Sequence, residues 1–309
     1  MGTRTALFSR HQPGGVFTVT DIEQHPGDVW FVSSVTGTNG AGYGLNPDAP
    51  FASLSYAFSS DVLVAGDTVY LLPGHNESIG NAQVAIDIAG ITIVGLGRGT
   101  LTPRVDFDHA NASIDISASN TTIRNVRFLP SVTAVAIGID INTLVTDTLL
   151  EDLEVLPGED GAGVDEFTLF IDLKVGCDRT VIRRVKHRQH ASAAGSVASI
   201  SLTGASDDIT IEDCFFDMAG AALVAPINGI TTLSTGIYIR RCTFVTDAAE
   251  PGYEMITGST GVAENCLVFS NHATLAGALV GDGIARFRCE NIEVAAESGG
   301  IIGAASVDD

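Results

Sequence analysis

The feature that most limits what this chain can fold into is an internal repeat. The nine-residue segments ITIVGLGRG (91–99), TTIRNVRFL (121–129), TLLEDLEVL (148–156), TVIRRVKHR (180–188), ITIEDCFFD (209–217), IYIRRCTFV (237–245), GVAENCLVF (261–269) and FRCENIEVA (287–295) align without gaps. With Gly95, Asn125, Asp152, Arg184, Asp213, Arg241, Asn265 and Asn291 as the shared position, the spacing averages 28 residues. A period of that size marks a solenoid, in which each unit buries its apolar face only against its neighbours. Apolar and polar residues alternate in steps of two inside each copy, and β-branched residues are common, so the unit is a β-coil and not a pair of helices.

A second strand recurs upstream of most copies: VAIDIAG (84–90), ASIDISA (112–118), GIDIN (138–142), LFIDLKV (169–175), ASISLTG (198–204) and, more weakly, YEMITG (253–258). Each coil therefore carries at least two strands. In-register stacking places equivalent side chains about 4.8 Å apart, in columns. One outward column reads Arg124, Glu151, Arg183, Glu212, Arg240, Glu264, with the sign changing at every step. Opposite charges on directly paired strands attract and like charges repel, so this order favours a parallel stack in a single register. In this alignment Glu290 follows Glu264 and breaks the alternation. The inward columns are Ile93, Ile123, Leu150, Ile182, Ile211, Ile239, and Leu96, Val126, Leu153, Val185, Cys214, Cys242, Cys266, Ile292. A cysteine in such a column acts as a small hydrophobe. All five cysteines are read as thiols, and none has the spacing of a zinc site.

Composition supports a long core. Of 309 residues 45% are hydrophobic and 17% charged, with mean hydropathy +0.28, which excludes disorder. No apolar run is long enough to span a membrane, and the N-terminus lacks the apolar stretch of a secretory signal, so neither membrane insertion nor Sec export is expected. The 16 basic and 37 acidic residues leave a net charge of −21, which repels nucleic acid and anionic lipid. Residues 1–20 depart from this, holding Arg4 and Arg10 and no acid. The expected organisation is a basic N-terminal arm, 1–28, before a β-helix domain, 29–309, with Arg4 and Arg10 as partner-binding candidates.

In FASLSYAFSSDVL (51–63), Leu54, Ala57 and Phe58 have helical spacing behind Ser53, a good N-cap, which predicts a short helix plugging the first coil. At the other end ESGGIIGAASVDD offers no amphipathic helix, so an oligomer mate or host lattice is expected to cover the last coil. The opening GTNGAGYGLNPDAPFASLSYAF, followed by AGDTVYLLPGHNESI with Gly66-Asp67-Thr68 entering a strand and Pro73-Gly74 leaving it, resembles the pectin-lyase-like right-handed parallel β-helix superfamily. The versions common among bacteriophage virion proteins are the most similar. The resemblance covers residues 29 to about 300 and implies an all-β, single-stranded right-handed parallel β-helix with a short N-terminal capping helix.

Enzymes of that superfamily are polysaccharide lyases and glycoside hydrolases, which use an Arg or Lys base beside calcium-binding carboxylates or two to three acids on one face. The matching candidates are Asp87, Asp115, Asp140 and Asp172, followed by Ser201, one per coil in the upstream strand. Stacked carboxylates are solvated, share protons or bind a cation, so these four are the candidate metal ligands, beside the plainer reading as the polar half of strand alternation. Lys174, two residues past Asp172, supplies no evident base. His75-Asn76-Glu77, the group Asp106, Asp108 and His109, the acidic loop 158–167, and the cluster Arg183, Arg184, Lys186, His187, Arg188 are weaker signals, and no catalytic residue or cofactor is assigned. The expectation is a non-catalytic virion structural protein, made in the host cytoplasm and placed on the capsid surface as a decoration (cement) protein. It would act as a homotrimer bound to the major capsid protein, without nucleic-acid or membrane contacts. The alternative is a tail spike that binds or cleaves host polysaccharide.

Overall fold

The computed structural model describes residues 27–293 except 82, 159–163, 190–194, 219, 247–249 and 271–274. The chain forms an all-β parallel solenoid of three sheets, with ten, nine and eight strands, each strand pairing with its equivalents on the neighbouring coils. From Thr68–Leu71 onward, successive strands along the chain enter the first, second and third sheet in turn, so each full coil has three strands rather than the two visible in the sequence. The extra strand lies inside the nine-residue repeat: Thr122–Arg124 belongs to the first sheet and Arg127–Pro130 to the second.

The shared repeat position is the corner between those two strands. Asn125, Asp152, Arg184, Asp213, Arg241, Asn265 and Arg288 all adopt left-handed backbone, with φ between 51° and 56°. Asn and Asp tolerate this conformation, whereas each Arg there costs on the order of 1 kcal/mol. At Arg184 and Arg241 that cost is offset by two-pronged bonds to the corner carboxylate one coil back: Arg184 to Asp152 at 2.6 and 3.1 Å, Arg241 to Asp213 at 2.6 and 2.8 Å. The last repeat aligns differently from the sequence expectation. Glu264 pairs with Phe287 and Leu267 with Glu290, so the corner is Arg288 rather than Asn291, and Glu290 leaves the charge column. The shift of three residues brings Cys289, not Ile292, into the core column behind Cys214, Cys242 and Cys266. Polarity pattern alone left the two alignments equally plausible.

Elsewhere the columns stand as expected. Ile123, Leu150, Ile182, Ile211 and Ile239 stack in register and are buried. On the last coil Arg286 pairs with Ala263 in that column, and its guanidinium reaches the Tyr253 hydroxyl at 3.4 Å and the Gly281 carbonyl at 3.4 Å. The apolar column thus ends in a polar residue. At the other end α1 (Leu54–Ser59) buries Leu54, Ala57 and Phe58, with Ser53 accepting from the Tyr56 amide as N-cap. It lies against Gln83–Ile86, the end strand of the third sheet, where a further strand would otherwise continue. Buried Asp67 pins the entry of the first strand, Val29–Val32, accepting from the Asp28 amide, the Trp30 indole and the Val64 amide at 2.6, 2.9 and 2.9 Å.

The alternating column pairs Arg124, Glu151, Arg183, Glu212, Arg240 and Glu264 rung for rung. Its strongest point is Glu151, whose side chain is only 3% exposed beneath Arg124 at 2.5 Å, Arg183 at 2.6 Å and Arg184. Burial alone would raise this carboxyl, but the three guanidinium groups outweigh it and hold it below the ordinary range. Glu151→Gln should therefore lower stability by about 2 kcal/mol, because three charge-assisted bonds weaken at once, while Glu212→Gln, facing the exposed Arg241, should cost about 0.5 kcal/mol. Because the folded value is depressed, the Glu151 contribution is complete above the unfolded value near 4.5 and disappears as pH falls through the folded one. Urea titrations at neutral and acid pH measure both effects, and equal losses for the two variants would contradict the assignment.

Candidate functional site

The outward positions of the third sheet carry Asp115, Asp140, Asp172, Ser201, Asn228 and Glu254 on successive strands. Asp87 is not part of this column. Strand Gln83–Ile86 pairs Ala85 with Asp115 and Ile86 with Ile116, leaving Asp87 exposed two residues further on. The period-two pattern has the correct parity in either register; Val84 and Ile86 stack on Ile114 and Ile116, and Ile88 falls beyond the strand.

The other three aspartates are held by neighbours from the same edge of the sheet. Lys174 places its ammonium 3.3 Å from Asp140 and 3.4 Å from Asp172, bridging two coils. Asn142 donates to Asp115 at 2.5 Å and the Thr203 hydroxyl to Asp172 at 2.8 Å. Burial raises Asp172 and Asp115 above the ordinary carboxylate range against these bonds. Burial would lower Lys174, but Asp140 and Asp172 together outweigh it and raise it, so the lysine is a firmly charged counter-ion. Its ammonium sits where a cation would balance the pair, and among the described residues no group of three or more His, Cys, Asp or Glu side chains is gathered to hold a metal. Lys174→Ala should cost about 1 kcal/mol at neutral pH. The freed carboxylates then repel, and Asp172, already raised by burial, titrates higher still in the folded chain, so the deficit is absent below its unfolded value near 3.8 and grows as pH rises through its folded value. A deficit independent of pH would show that Lys174 acts only by packing.

A shallow trough of about 580 Å³ runs along the corner between the first and second sheets, lined by Asn125, Arg127, Asp152, Glu154, Arg184 and Lys186 among others. A second, of about 330 Å³, continues it toward His75, Asn76 and Arg104. Most of these charges are paired within the trough: Arg127 with Glu154 at 2.7 Å, Arg184 with Asp152 at 2.6 Å. The basic cluster in the repeat 180–188 therefore divides. Arg183 and Arg184 belong to the Glu151 and Asp152 pairs. His187 is inward, bonded to Ser199 at 2.8 Å, with burial pushing its value down to about 3, and Arg188 lies over the Phe215 ring. Lys186 is left exposed at the trough wall.

Glu77 caps the start of α1, with His75 beside it. Glu77 accepts from the Leu54 and Ser55 amides at 2.5 and 3.0 Å, holding the start of α1, and sits 3.4 Å from His75 Nε2. His75 Nδ1 accepts from the Ser34 amide at 3.0 Å. Asp106 pairs with Arg104 and Asp108 accepts from Ser78, so these acids and His109 do not converge. In the acidic loop, Glu159 and Asp160 lie outside the described residues, and buried Glu166 accepts from the Gly195 amide at 2.6 Å. Arg4, Arg10 and the segment 297–309 also lie outside them.

All five cysteines are free thiols. Cys177, Cys214, Cys242 and Cys266 are buried, and burial pushes Cys177 up to about 12. A water-soluble thiol reagent should leave these four unmodified in the folded protein and label Cys289 first, with all five reacting in denaturant. Rapid labelling of Cys242 in the native state would contradict the core column.

The sequence matches no family model and no curated protein. Among solved structures, the chain is similar to a rhamnogalacturonan lyase with a TM-score of 0.50 and 13% identity, covering 87% of this chain and 89% of the other. An alginate lyase from Paenibacillus sp. matches with a TM-score of 0.46 and 10% identity, over 77% of this chain and 94% of that one. The ORF18 protein of Geobacillus virus E2 matches with a TM-score of 0.39 and 10% identity, over 77% of this chain and 58% of that one. The first of these identifies a shared β-helix fold, and at such identity it carries no chemistry across. No helix among the described residues is long and apolar enough to cross a membrane.

Proposed function

We propose that this chain is a non-catalytic structural protein of a phage virion, a capsid decoration protein that binds the major capsid protein on the shell surface as a homotrimer. The observation that carries this reading is the mutual engagement of charges along the rod. Arg184 holds Asp152, Arg241 holds Asp213, Arg179 holds Asp147, and Lys174 spans Asp140 and Asp172. General acids and bases must gain and lose protons freely at working pH, and groups locked in cross-coil pairs resist this. The same pairs, with the backbone ladders, make a stiff prism suited to bridging neighbouring shell subunits. The basic arm with Arg4 and Arg10 supplies contacts of opposite sign to the acidic body, and several such contacts per trimer multiply weak individual affinities.

One observation favours the alternative, a tail spike acting on host polysaccharide: Asp115 and Asp172, both raised by burial, flank Asp140 in one column of adjacent coils. Adjacent carboxyls at strand spacing are close to the separation of a retaining glycosidase pair.

Electron microscopy of the native particle separates the two. Three-fold densities repeated across the shell are expected, and deletion of residues 1–20 should abolish particle binding while leaving the circular dichroism of the β-helix unchanged. Density at the tail tip alone would overturn the decoration reading and make Asp140→Asn and Asp172→Asn the variants to assay for glycan cleavage.

A further inference from the structure

The core column beside the corner between the first and second sheets changes character halfway along the rod. It carries Val126, Leu153 and Val185, and then Cys214, Cys242, Cys266 and Cys289. The residues that follow these cysteines pair rung for rung, Phe215 with Thr243, Thr243 with Leu267 and Leu267 with Glu290, so the four thiols stand on consecutive coils. Their side chains are copies of one another. Each sulfur lies 3.2–3.5 Å from the carbonyl oxygen two residues before it and 3.5–3.9 Å from an inward-column carbonyl oxygen one coil back. Neighbouring thiols hydrogen-bond in sequence, Cys214 with Cys242, Cys242 with Cys266 and Cys266 with Cys289. The first three are buried, while Cys289 at the end of the row is partly exposed. Valine and leucine fill the same place on earlier coils, so packing alone does not call for sulfur here; four thiols in contact form a chemical unit.

Geometry decides what that unit can hold. Side chains repeated by translation keep their Cβ atoms one strand spacing apart, about 4.8 Å, beyond the roughly 3.5–4.5 Å that a disulfide requires. The same repetition suits a metal ion lying between two sulfurs. A metal–thiolate bond is about 2.3 Å long, so a linear sulfur–metal–sulfur unit spans about 4.6 Å, close to the rung spacing. Zinc takes four ligands around one point, and among the described residues no group of three or more His, Cys, Asp or Glu side chains is gathered to supply them. We propose that the row from Cys214 to Cys289 is a binding site for soft monovalent cations of the copper(I) class, each held in line between thiolates of adjacent coils. Four thiols release four protons as three cations enter, leaving one negative charge shared by four sulfurs. Filling the whole row is therefore less costly in an apolar core than filling separate pairs, each of which would carry a full charge. Ions enter at Cys289, where the row opens to solvent, and pass inward from one pair of sulfurs to the next. Because protons are released, retention falls as the solution becomes acid. The site needs only the folded chain and stands apart from the placement of the protein on a particle.

Anaerobic titration of the purified full chain with copper(I), followed by gel filtration and metal analysis, tests it. The wild type should retain three ions per chain, or two where only separate pairs fill, with the ultraviolet charge-transfer band of a copper thiolate and unchanged far-ultraviolet circular dichroism. Cys242→Val places there the residue that the column already carries at Val126 and Val185, so it should fold normally and retain one ion, between Cys266 and Cys289. Cys177→Ala lies outside the row, where the thiol meets the Ile141 and Asn142 carbonyls, and should bind as the wild type does. One ion or none in the wild type, a count indifferent to Cys242→Val, or a count that falls with Cys177→Ala overturns the inference, as does copper uptake accompanied by loss of the β-sheet spectrum.

Discussion

In-register stacking of equivalent positions is the constraint from which the rest of this molecule follows. Once each strand pairs with its counterpart on the next coil, a side chain's nearest non-local neighbours are its own column mates, and every column must be compatible with itself. Aliphatic columns satisfy this by packing, as Ile123, Leu150 and Ile182 do. Charged columns satisfy it only by alternating sign. The Arg124 to Glu264 column alternates without exception, and a one-coil slip would place like charges together throughout, so it selects register more than it adds stability.

This explains which parts of the structure were legible beforehand. Columns are visible in sequence because they recur, so the solenoid, the inward isoleucines, the alternating charges and the capping helix could all be read. Corners were not visible as corners. Asn125 and Arg184 share a left-handed backbone that no common side-chain chemistry announces, and the strand boundary inside each repeat was missed with it. The same blindness shifted the last repeat by three residues and hid Cys289 in the core column. At the candidate site the period marks the aspartate column, but parity cannot tell a strand from the two residues after it, so Asp87 shares the pattern while Ala85 holds the place beside Asp115. Lys174 lies beyond Asp172 in sequence, and only the stacking of coils shows that its long side chain returns to two carboxylates.

The two polar systems on the prism show how burial decides the role of a charge. Glu151 is covered by three guanidinium groups and stays ionised below the ordinary range. Asp172 is as deeply covered but meets one ammonium and a hydroxyl, and its carboxyl is raised instead. The first arrangement is a structural clamp. The second raises a carboxyl above the ordinary range, the direction a general acid needs, yet the lysine already pairs with Asp140 and Asp172. That combination makes the aspartate column the place where a structural and a catalytic reading of the fold diverge.

The ends and edges of a solenoid must be treated differently from its faces, and the chain does so unevenly. At the first coil α1 covers the third sheet, with Asp67 and Glu77 tying down the entry and the helix start. At the last described coil Arg286 replaces an aliphatic in the core column and turns the stack polar. Along the third-to-first edge polar and apolar residues are mixed: Asn120, Asp147, Arg179 and Asp208 take left-handed backbone there, and Leu144, Val175 and Leu233 stand exposed beside them. Three sheets leave three edges, and the one between the first and second sheets is crowded with Asp, Asn and Arg. Both corners repeat Asn, Asp and Arg at left-handed backbone, and the exposed Leu144 and Leu233 lie over the glycines of the next coil, Gly176 and Gly258, so these leucines cover backbone that carries no side chain of its own.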